Sequence, residues 1–448
     1  MRKSITLLLA ALITCSMAWG KDGEKRPAKV YFKDGKLHFS SIDEQFHLWM
    51  DNRIYLDAAI YSPVRDVSGL TSKINKDLEE DDGHFRFSNG VSVRRARFAL
   101  KAEFYRNWFA ELDLDFANNE VEIKDLFVGY RFNKRLSLKA GHFKVPMSME
   151  RTTSSKYLSL AERPMAVEAF ADGRRLGIAA TAWGNGWWVS GGAFGREIDI
   201  IQKERNRGDD GWALAARVAL STPAEKEWTV HVGGYANYQT PAEGGLDDRM
   251  AVFRTFPESR VDRRRFVQTE IENVRHYAVA GVEAGFRFRK WLAYGEYIYT
   301  NLSRYTYGSE KQKTDLENAI FNGWYVTASY MILGENRRYA PDEAEFSELG
   351  QSAKGHRLEI AGRVSHINLN DFHDPKAYIT GGKATSYSAA LNWMPVRNVM
   401  LGLNYIYMDN DKYADSKGQI TFNNKALSDA LPKGIDFHVC QLRIMVSF

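Results

Sequence analysis

Apolar and polar side chains alternate one by one along much of this chain. Phe98, Leu100, Ala102 and Phe104 are interleaved with Arg97, Ala99, Lys101 and Glu103, and Leu112, Leu114 and Phe116 with Glu111, Asp113 and Asp115. The rhythm returns in Leu358, Ile360, Gly362 and Val364 against Arg357, Glu359, Arg363 and Ser365, and in Val399, Leu401, Leu403, Tyr405 and Tyr407 against Met400, Gly402 and Asn404. A period of two belongs to a β-strand whose faces meet different surroundings, here hydrocarbon on one side and water on the other. Strands buried on both faces would read as unbroken apolar runs. The pattern predicts strands near 45–61, 91–104, 109–117, 121–132, 136–144, 174–183, 187–195, 212–221, 228–239, 275–288, 291–301, 320–333, 356–367, 385–394, 399–408 and 436–448. These are sixteen, and an even number returns both chain ends to one side of a membrane. The expected fold class is all-β, a 16-stranded antiparallel transmembrane β-barrel with lumen-folded loops, spanning 45–448.

The connections sort by length. Tight polar turns such as Tyr105-Arg106-Asn107-Trp108, Phe132-Asn133-Lys134-Arg135 and Gly184-Asn185-Gly186 fall at the end that carries the termini. Long polar segments at 62–90, 145–173, 196–211, 240–274, 302–319, 368–384 and 409–435 fall at the other. Segment 334–355 is long yet lies on the short-turn side, so either a strand is misplaced there or the turn folds into the lumen. Residues 21–44 read as a charged, irregular N-terminal periplasmic segment with a short strand at Leu37-His38-Phe39-Ser40.

The termini locate the barrel. Arg2 and Lys3 precede the apolar run Ile5 to Ile13, and Ala18-Trp19-Gly20 supplies a cleavage region, so 1–20 reads as a removable signal peptide. A lipidated Cys15 is the alternative, which Thr14 fits poorly. The last eight residues alternate in polarity and stop on Phe448. An exported chain with that ending is expected in the cell outer membrane of a Gram-negative bacterium, in contact with outer-membrane lipid.

Composition removes several classes. After Lys21 no stretch reaches the roughly 18–20 apolar residues of a membrane helix, and the mean hydropathy of -0.42 disfavours a helical bundle in lipid. Aromatics at 13%, with 22 Tyr and 11 Trp, fit girdles at both membrane interfaces. Loss of Cys15 with the signal leaves Cys440, so neither a disulfide framework nor a cysteine metal cluster is available. The net charge of +5 falls to +3 once Arg2 and Lys3 leave the 61 basic residues that face 56 acidic ones. That balance is too even for a nucleic-acid binder.

Candidate chemistry lies inside the barrel. Loop 145–173 carries Arg151, Lys156 and Arg163 beside Thr152-Thr153-Ser154-Ser155, combining hydroxyl and amide donors with fixed positive charge, as a partly dehydrated anion requires. Alternation turns Arg95, Arg97, Lys101, Arg131, Lys139, Arg175, Arg217, Arg275, Arg287, Arg357, Arg363 and Arg443 toward the lumen, and loop 240–274 adds Arg254, Arg260, Arg263, Arg264 and Arg265. Glu103, Asp113, Asp115 and Glu359 also face inward, so these cations either pair with carboxylates or form a path for anions.

Several short stretches taken in order resemble one family. They are Arg94-Arg95-Ala96-Arg97, Lys124-Asp125-Leu126-Phe127-Val128-Gly129-Tyr130, Gly141-His142-Phe143-Lys144-Val145-Pro146, Thr153-Ser154-Ser155-Lys156-Tyr157, Glu162-Arg163 and Gly173-Arg174-Arg175-Leu176-Gly177. Gly323-Trp324-Tyr325-Val326 with Gly334-Glu335, Ala361-Gly362-Arg363 with Leu369-Asn370-Asp371, and Leu391-Asn392-Trp393 with Asn404-Tyr405 follow. From about residue 90 onward this set resembles the phosphate-selective porin O and P family. The resemblance implies a homotrimer of sixteen-strand barrels, with the third and fifth outer loops and a periplasmic turn folded inward. It also implies a constriction that binds phosphate through Arg94, Arg95, Arg151, Ser154 and Ser155 with Asp125 as a modulating carboxylate. Arg151 stands where the family pattern leads one to expect lysine. With Arg97 and Lys156 added from strand and loop, these are the candidate anion-binding residues. The function expected is passive uptake of phosphate or polyphosphate through an anion channel, with phosphate or other small anions as partners and no cofactor.

Other classes fit less well. A hydrolase would need an assembled Ser, His and acid, and His142 with Ser148 is the nearest pair. No His-x-x-x-His with an acidic partner suggests a metal site. A general diffusion pore and a surface-binding barrel with closed lumen both remain open, the second because loops 62–90 and 240–274 are long enough to engage a partner.

Overall fold

Along Ala213–Ser221 the lumen side takes Ala213, Ala215, Arg217 and Ala219, all buried, while Leu214, Val218 and Leu220 stay 52%, 53% and 60% exposed on the other face. That separation, repeated strand after strand, follows from the two-residue period. Lipid accepts the aliphatic face and nothing else does, so the sheet has to close with its polar face inside. The computed structural model describes residues 28–62, 87–117, 120–198, 210–223, 227–243, 249–307, 312–348, 356–414, 419–420 and 434–448. The signal peptide assigned to 1–20 and most of loop 62–90 lie outside these residues.

Sixteen strands form the wall. They are β1 Arg53–Tyr61, β2 Gly90–Phe104, β3 Trp108–Asp115, β4 Glu122–Asn133, β5 Leu136–Lys144, β6 Arg174–Trp183, β7 Trp187–Phe194 and β8 Ala213–Ser221. Then come β9 Trp228–Gln239, β10 Val274–Phe288, β11 Trp291–Tyr307, β12 Ala319–Leu333, β13 Arg357–Asp371, β14 Ile379–Val396, β15 Val399–Asn410 and β16 Phe437–Ser447. Each pairs antiparallel with the next, and β16 returns to β1 from Ser447↔Arg53 to Val439↔Tyr61. The closed ladder leaves no free edge within the membrane band. Among the described residues no helix is long and apolar enough to cross a membrane.

Several strands run beyond their expected ends. β13 continues to Asp371 and β14 begins at Ile379, where Asn370↔Thr380 and Asp371↔Ile379 extend the ladder. Above the lipid band a strand no longer has to alternate in polarity, so Asn368, Asn370 and Asp371 pair as strand while reading as loop, with Asn370 and Asp371 buried. The N-terminal segment departs from the irregular reading: Lys29–Lys33 and Lys36–Ser40 form a hairpin, and the second strand pairs with Phe46–Met50. Phe46–Met50 leads into β1 and keeps its register against β2, from Phe46↔Phe104 through Arg53↔Arg97.

Segment 145–173 enters the lumen, carrying the short helices α1 (Met149–Thr152) and α2 (Met165–Phe170). Gly323 in β12 lets α2 lie against the wall, since a Cβ there would sit 2.6 Å from the Ala166 Cβ. The long periplasmic turn also folds inward: Trp188 Nε1 donates to the Asp342 carbonyl at 2.8 Å and Arg217 to the Ala344 carbonyl at 2.6 Å. Segment 249–273 comes in from the outer side, where the Tyr61 and Ser259 hydroxyls lie 2.8 Å apart. Of the two readings of 334–355, the inward fold is the one that its described residues, 334–348, adopt.

The seam between first and last strands is locked by charge. Arg443 on β16 grips Asp57 on β1 at 2.7 and 2.6 Å and reaches Glu162 of the inward loop at 3.0 Å. Breaking a buried pair strands its partner, at a typical cost of roughly 3–5 kcal/mol. Arg443→Met is therefore expected to lower the temperature at which the folded band on a gel converts to the unfolded one; an unchanged transition would refute the role of this lock.

Candidate functional site

Strict alternation would send Arg94 and Arg95 to opposite faces of β2. The pairing Tyr55↔Arg95 is followed by Leu56↔Val93, so Arg94 is an extra residue, a bulge that turns both guanidiniums inward. β4 does the same at Lys124, between Asp113↔Asp125 and Leu114↔Ile123. Two bulges on nearby strands thus load one level of the lumen with charge.

The inward loop is pinned opposite them. Ser148, held at φ 60, donates its hydroxyl to the Glu296 carboxylate at 3.0 Å, and the Glu150 amide joins at 2.9 Å. The hydroxyls of Tyr235 and Tyr325 complete the Glu296 carboxylate at 2.8 Å each, and Met149 N donates to Glu283 at 2.9 Å. Further along, Asn392 donates to the Ser159 carbonyl at 2.7 Å, Asn404 accepts from Ala161 N at 3.0 Å, and Arg363 donates to the Glu162 carbonyl at 2.9 Å. Tyr325, Arg363, Asn392 and Asn404 all come from the family-like stretches, whose polar positions therefore serve as wall anchors for the loop. Ser148 spends its hydroxyl on Glu296, so the Ser148–His142 pairing that a hydrolase would need is not built.

Between loop and bulged strands lies a cavity of about 1160 Å³, and all eight candidate residues, Arg94, Arg95, Arg97, Asp125, Arg151, Ser154, Ser155 and Lys156, line it. They are not equally available. Arg94 is clamped to Glu162 at 2.5 and 2.7 Å, and Arg97 spans Asp115 at 2.9 Å and Asp113 at 3.3 Å. Arg151 reaches Glu168 at 3.4 Å and the Asp172 carbonyl at 3.0 Å, Lys156 pairs with Asp51, and Asp125 holds Arg174 at 3.0 and 2.7 Å. Arg95 differs: among the described residues it makes neither hydrogen bond nor ion pair, and its guanidinium lies 5.7 Å from the Tyr55 ring centre.

Neighbours that the sequence reading passed over complete the picture. Arg53 points at the Ser154 and Ser155 hydroxyls from 3.4 and 3.5 Å, and the Tyr55 hydroxyl lies 3.2 Å from Ser155 Oγ. Arg163, which the sequence did single out, binds among the described residues only carbonyls, those of Glu150 at 2.9 Å and Thr153 at 2.6 Å among them, and stays cationic although burial, then Arg151, pulls it down to about 10. Around the cavity, among the described residues, seventeen Lys and Arg face eleven Asp and Glu; Glu162 and Glu283, outside that lining, hold Arg94 and Arg217, and cations still outnumber acids, so the net field is positive. The carboxylates of Glu111, Asp113 and Asp125 gather within 4.8 Å of one another, but Lys101 at 3.2 Å, Arg97 at 3.3 Å and Arg174 at 2.7 Å answer them one for one. That grid reads as ion pairing. The alternation of 45–61, with Ile54 and Leu56 outward, was the available signal for Asp51, Arg53 and Tyr55.

A model of the family "Phosphate-selective porin O and P" matches residues 72–448. The chain belongs to this family. It is a porin of the Gram-negative outer membrane. Porin O of Pseudomonas aeruginosa is 22% identical over 417 residues, covering 86% of this chain and 88% of that protein. An uncharacterized protein of Caulobacter vibrioides is 26% identical over 329 residues, 71% of this chain but 63% of that longer protein, so less than two thirds of it is represented here. Among solved structures, the trimer form of OmpT, an outer membrane protein of Vibrio cholerae, superposes with a TM-score of 0.52 at 9% identity, over 90% of this chain and 99% of that one. At that identity the likeness concerns the barrel alone.

Two groups are expected to give this porin a pH response. Burial pulls Lys156 down to about 8 although Asp51 opposes it, and burial with Glu343 pushes Glu345, on the inward turn, up to about 8. Raising the pH from 7 to 9 removes a positive charge from Lys156 and adds a negative one at Glu345, so both changes weaken the positive field. Preference for chloride, read as the reversal potential across a KCl gradient, is expected to fall over this range and to fall less in the Lys156→Met, Glu345→Gln double variant. A flat profile in the unaltered chain would contradict the assignment.

Proposed function

We propose that this porin is an anion-selective channel for passive uptake of phosphate-class oxyanions, and that Arg95 with Arg53, Ser154 and Ser155 forms the site through which they pass. What supports the reading is the Arg95 guanidinium, which faces the cavity without a carboxylate of its own. A planar fork of donors matches an oxyanion, and the two loop hydroxyls add donors on the far side. One such contact at ~4 Å and an effective dielectric near ~20 is worth roughly 4 kcal/mol before desolvation. Arg94, Arg97, Arg151 and Lys156 contribute field while bound to acids, and Asp125 with Arg174 tempers it. Selection is thus by excess charge and donor geometry, which a general diffusion pore lacks.

Residues 1–20 are proposed to be the export signal and the assembly a trimer, as the name of the Vibrio cholerae protein states for that barrel. The oligomer predicts a band near three times the chain mass on unheated gels.

The test is purified protein in planar bilayers. Chloride current should be blocked by added phosphate, and Arg95→Ala should raise the half-blocking concentration roughly tenfold or more, as expected for loss of hydrogen bonds to a charged group. Arg151→Ala, whose side chain already leans on Glu168, should have a smaller effect. Unchanged block in Arg95→Ala would refute the site, cation preference would refute anion selectivity, and absence of any conductance would favour a closed surface-binding barrel.

A further inference from the structure

Arg95 has no ion pair among the described residues, so a group other than a carboxylate has to hold it in place. The acids around it are already engaged. Glu162 takes Arg94 at 2.5 and 2.7 Å, Arg443 at 3.0 Å and Arg260 at 3.4 Å. Asp57 takes Arg443 at 2.7 and 2.6 Å, and Asp115 and Asp113 take Arg97 at 2.9 and 3.3 Å. A guanidinium with no fixed contact would have to be ordered each time an anion arrives, at the cost of its rotamer freedom.

Tyr55 supplies the contact. It stands opposite Arg95 in the β1–β2 ladder, at the residue where the bulge begins. Its ring centre lies 5.7 Å from the Arg95 guanidinium and 5.4 Å from that of Arg443. A π-face attracts a guanidinium through its quadrupole and adds no net charge. A carboxylate in the same place would neutralise Arg95 and compete with any anion for it. The ring therefore holds the cation and leaves its charge to the lumen.

The ring is itself fixed. Tyr55 is fully buried and packs with Met400 of β15 and Met445 of β16, the second being its ladder partner on the other side of β1. Its hydroxyl lies 3.2 Å from Ser155 Oγ, which accepts from Arg53 at 3.5 Å. When the Tyr55 hydroxyl donates to Ser155, the serine's own hydrogen is left to point at an anion. Arg53, Arg95 and Ser155 line the main cavity and Tyr55 does not, so Tyr55 reaches a passing ion only through them. One ring thus ties the seam cation Arg443 to the cation that faces the passage.

We propose that Tyr55 is the positioning residue of the anion site: its ring orients the Arg95 guanidinium without neutralising it, and its hydroxyl orients the Ser155 hydroxyl toward the passing ion. The proposal rests on the anion-channel reading and adds no ion-binding group to it. Loss of a desolvated cation–π contact together with the hydroxyl corresponds to roughly a tenfold weaker site.

The test is block of chloride current by inorganic phosphate in planar bilayers. Tyr55→Met fills the space beside Met400 and Met445 with neither ring nor hydroxyl, and should raise the half-blocking phosphate concentration roughly tenfold. Tyr55→Phe keeps the ring and should raise it by no more than about threefold. Because the ring acts through Arg95, the Tyr55→Met, Arg95→Ala double variant should block no more than about threefold worse than Arg95→Ala alone. Block in Tyr55→Met equal to that of the unaltered chain, block in Tyr55→Phe as weak as in Tyr55→Met, or losses that simply multiply in the double variant overturn the proposal while the channel reading stands. If Tyr55→Met does not insert, Tyr55→Phe decides against Arg95→Ala: tighter block in Tyr55→Phe is expected, and equally weak block overturns the proposal. Unchanged block in Arg95→Ala, or no conductance at all, overturns the channel reading itself.

Discussion

A guanidinium that faces a confined lumen without its own carboxylate is the constraint from which the rest of this structure follows. Charge taken out of water is costly unless it is paired or hydrogen-bonded. The barrel meets that requirement for most of its inward arginines: Arg217 with Glu283 at 2.8 Å, Arg363 with Glu258 at 2.6 Å and Arg337 with Glu359 at 2.8 Å are fully buried pairs. Arg95 is left out of this scheme, in the part of the lumen where the two bulged strands meet the loop. On the proposed reading, a passing anion supplies there what the protein withholds, and neighbouring acids keep that interaction transient.

The inward loop makes the passage narrow, and it is held by the wall rather than by its own short helices. Four donors converge on the Glu296 carboxylate, and Glu162 is held by Arg94, Arg443 and Arg260. Glu296, Arg94 and Arg443 come from three different strands and Arg260 from the inward segment 249–273, so the loop's position is fixed by barrel closure. The seam formed by Arg443 and Asp57 therefore shapes the constriction as well as closing the wall.

The wall was legible because lipid enforces a period of two, and any residue in register with Leu100 or Val218 reveals its face. The third loop and the inward turn were legible as exceptions, one rich in cations and hydroxyls, the other too long for its side. What alternation could not show is a break in itself: Arg94 faces the lumen through one extra residue, and only pairing with Tyr55 and Leu56 reveals it. Nor does sequence separate a spent cation from a free one. Arg94, Arg95 and Arg97 look alike in the chain, yet Glu162 claims the first, Asp113 and Asp115 claim the third, and the second is left. Those partners lie far off in sequence or across a strand pair. Of the N-terminal strands, Leu37–Ser40 and the stretch from 45 were legible, while Lys29–Lys33 escaped because it is too short for a period to register.

The most direct measurement is anomalous diffraction from crystals of the porin soaked in arsenate, an isostere of phosphate that scatters anomalously. A peak within hydrogen-bonding reach of the Arg95 guanidinium and the Ser154 and Ser155 hydroxyls is the expected result. A lumen with no peak there, or arsenate held only by cations already paired with acids, such as Arg97, would contradict the view that the unpaired guanidinium makes the path.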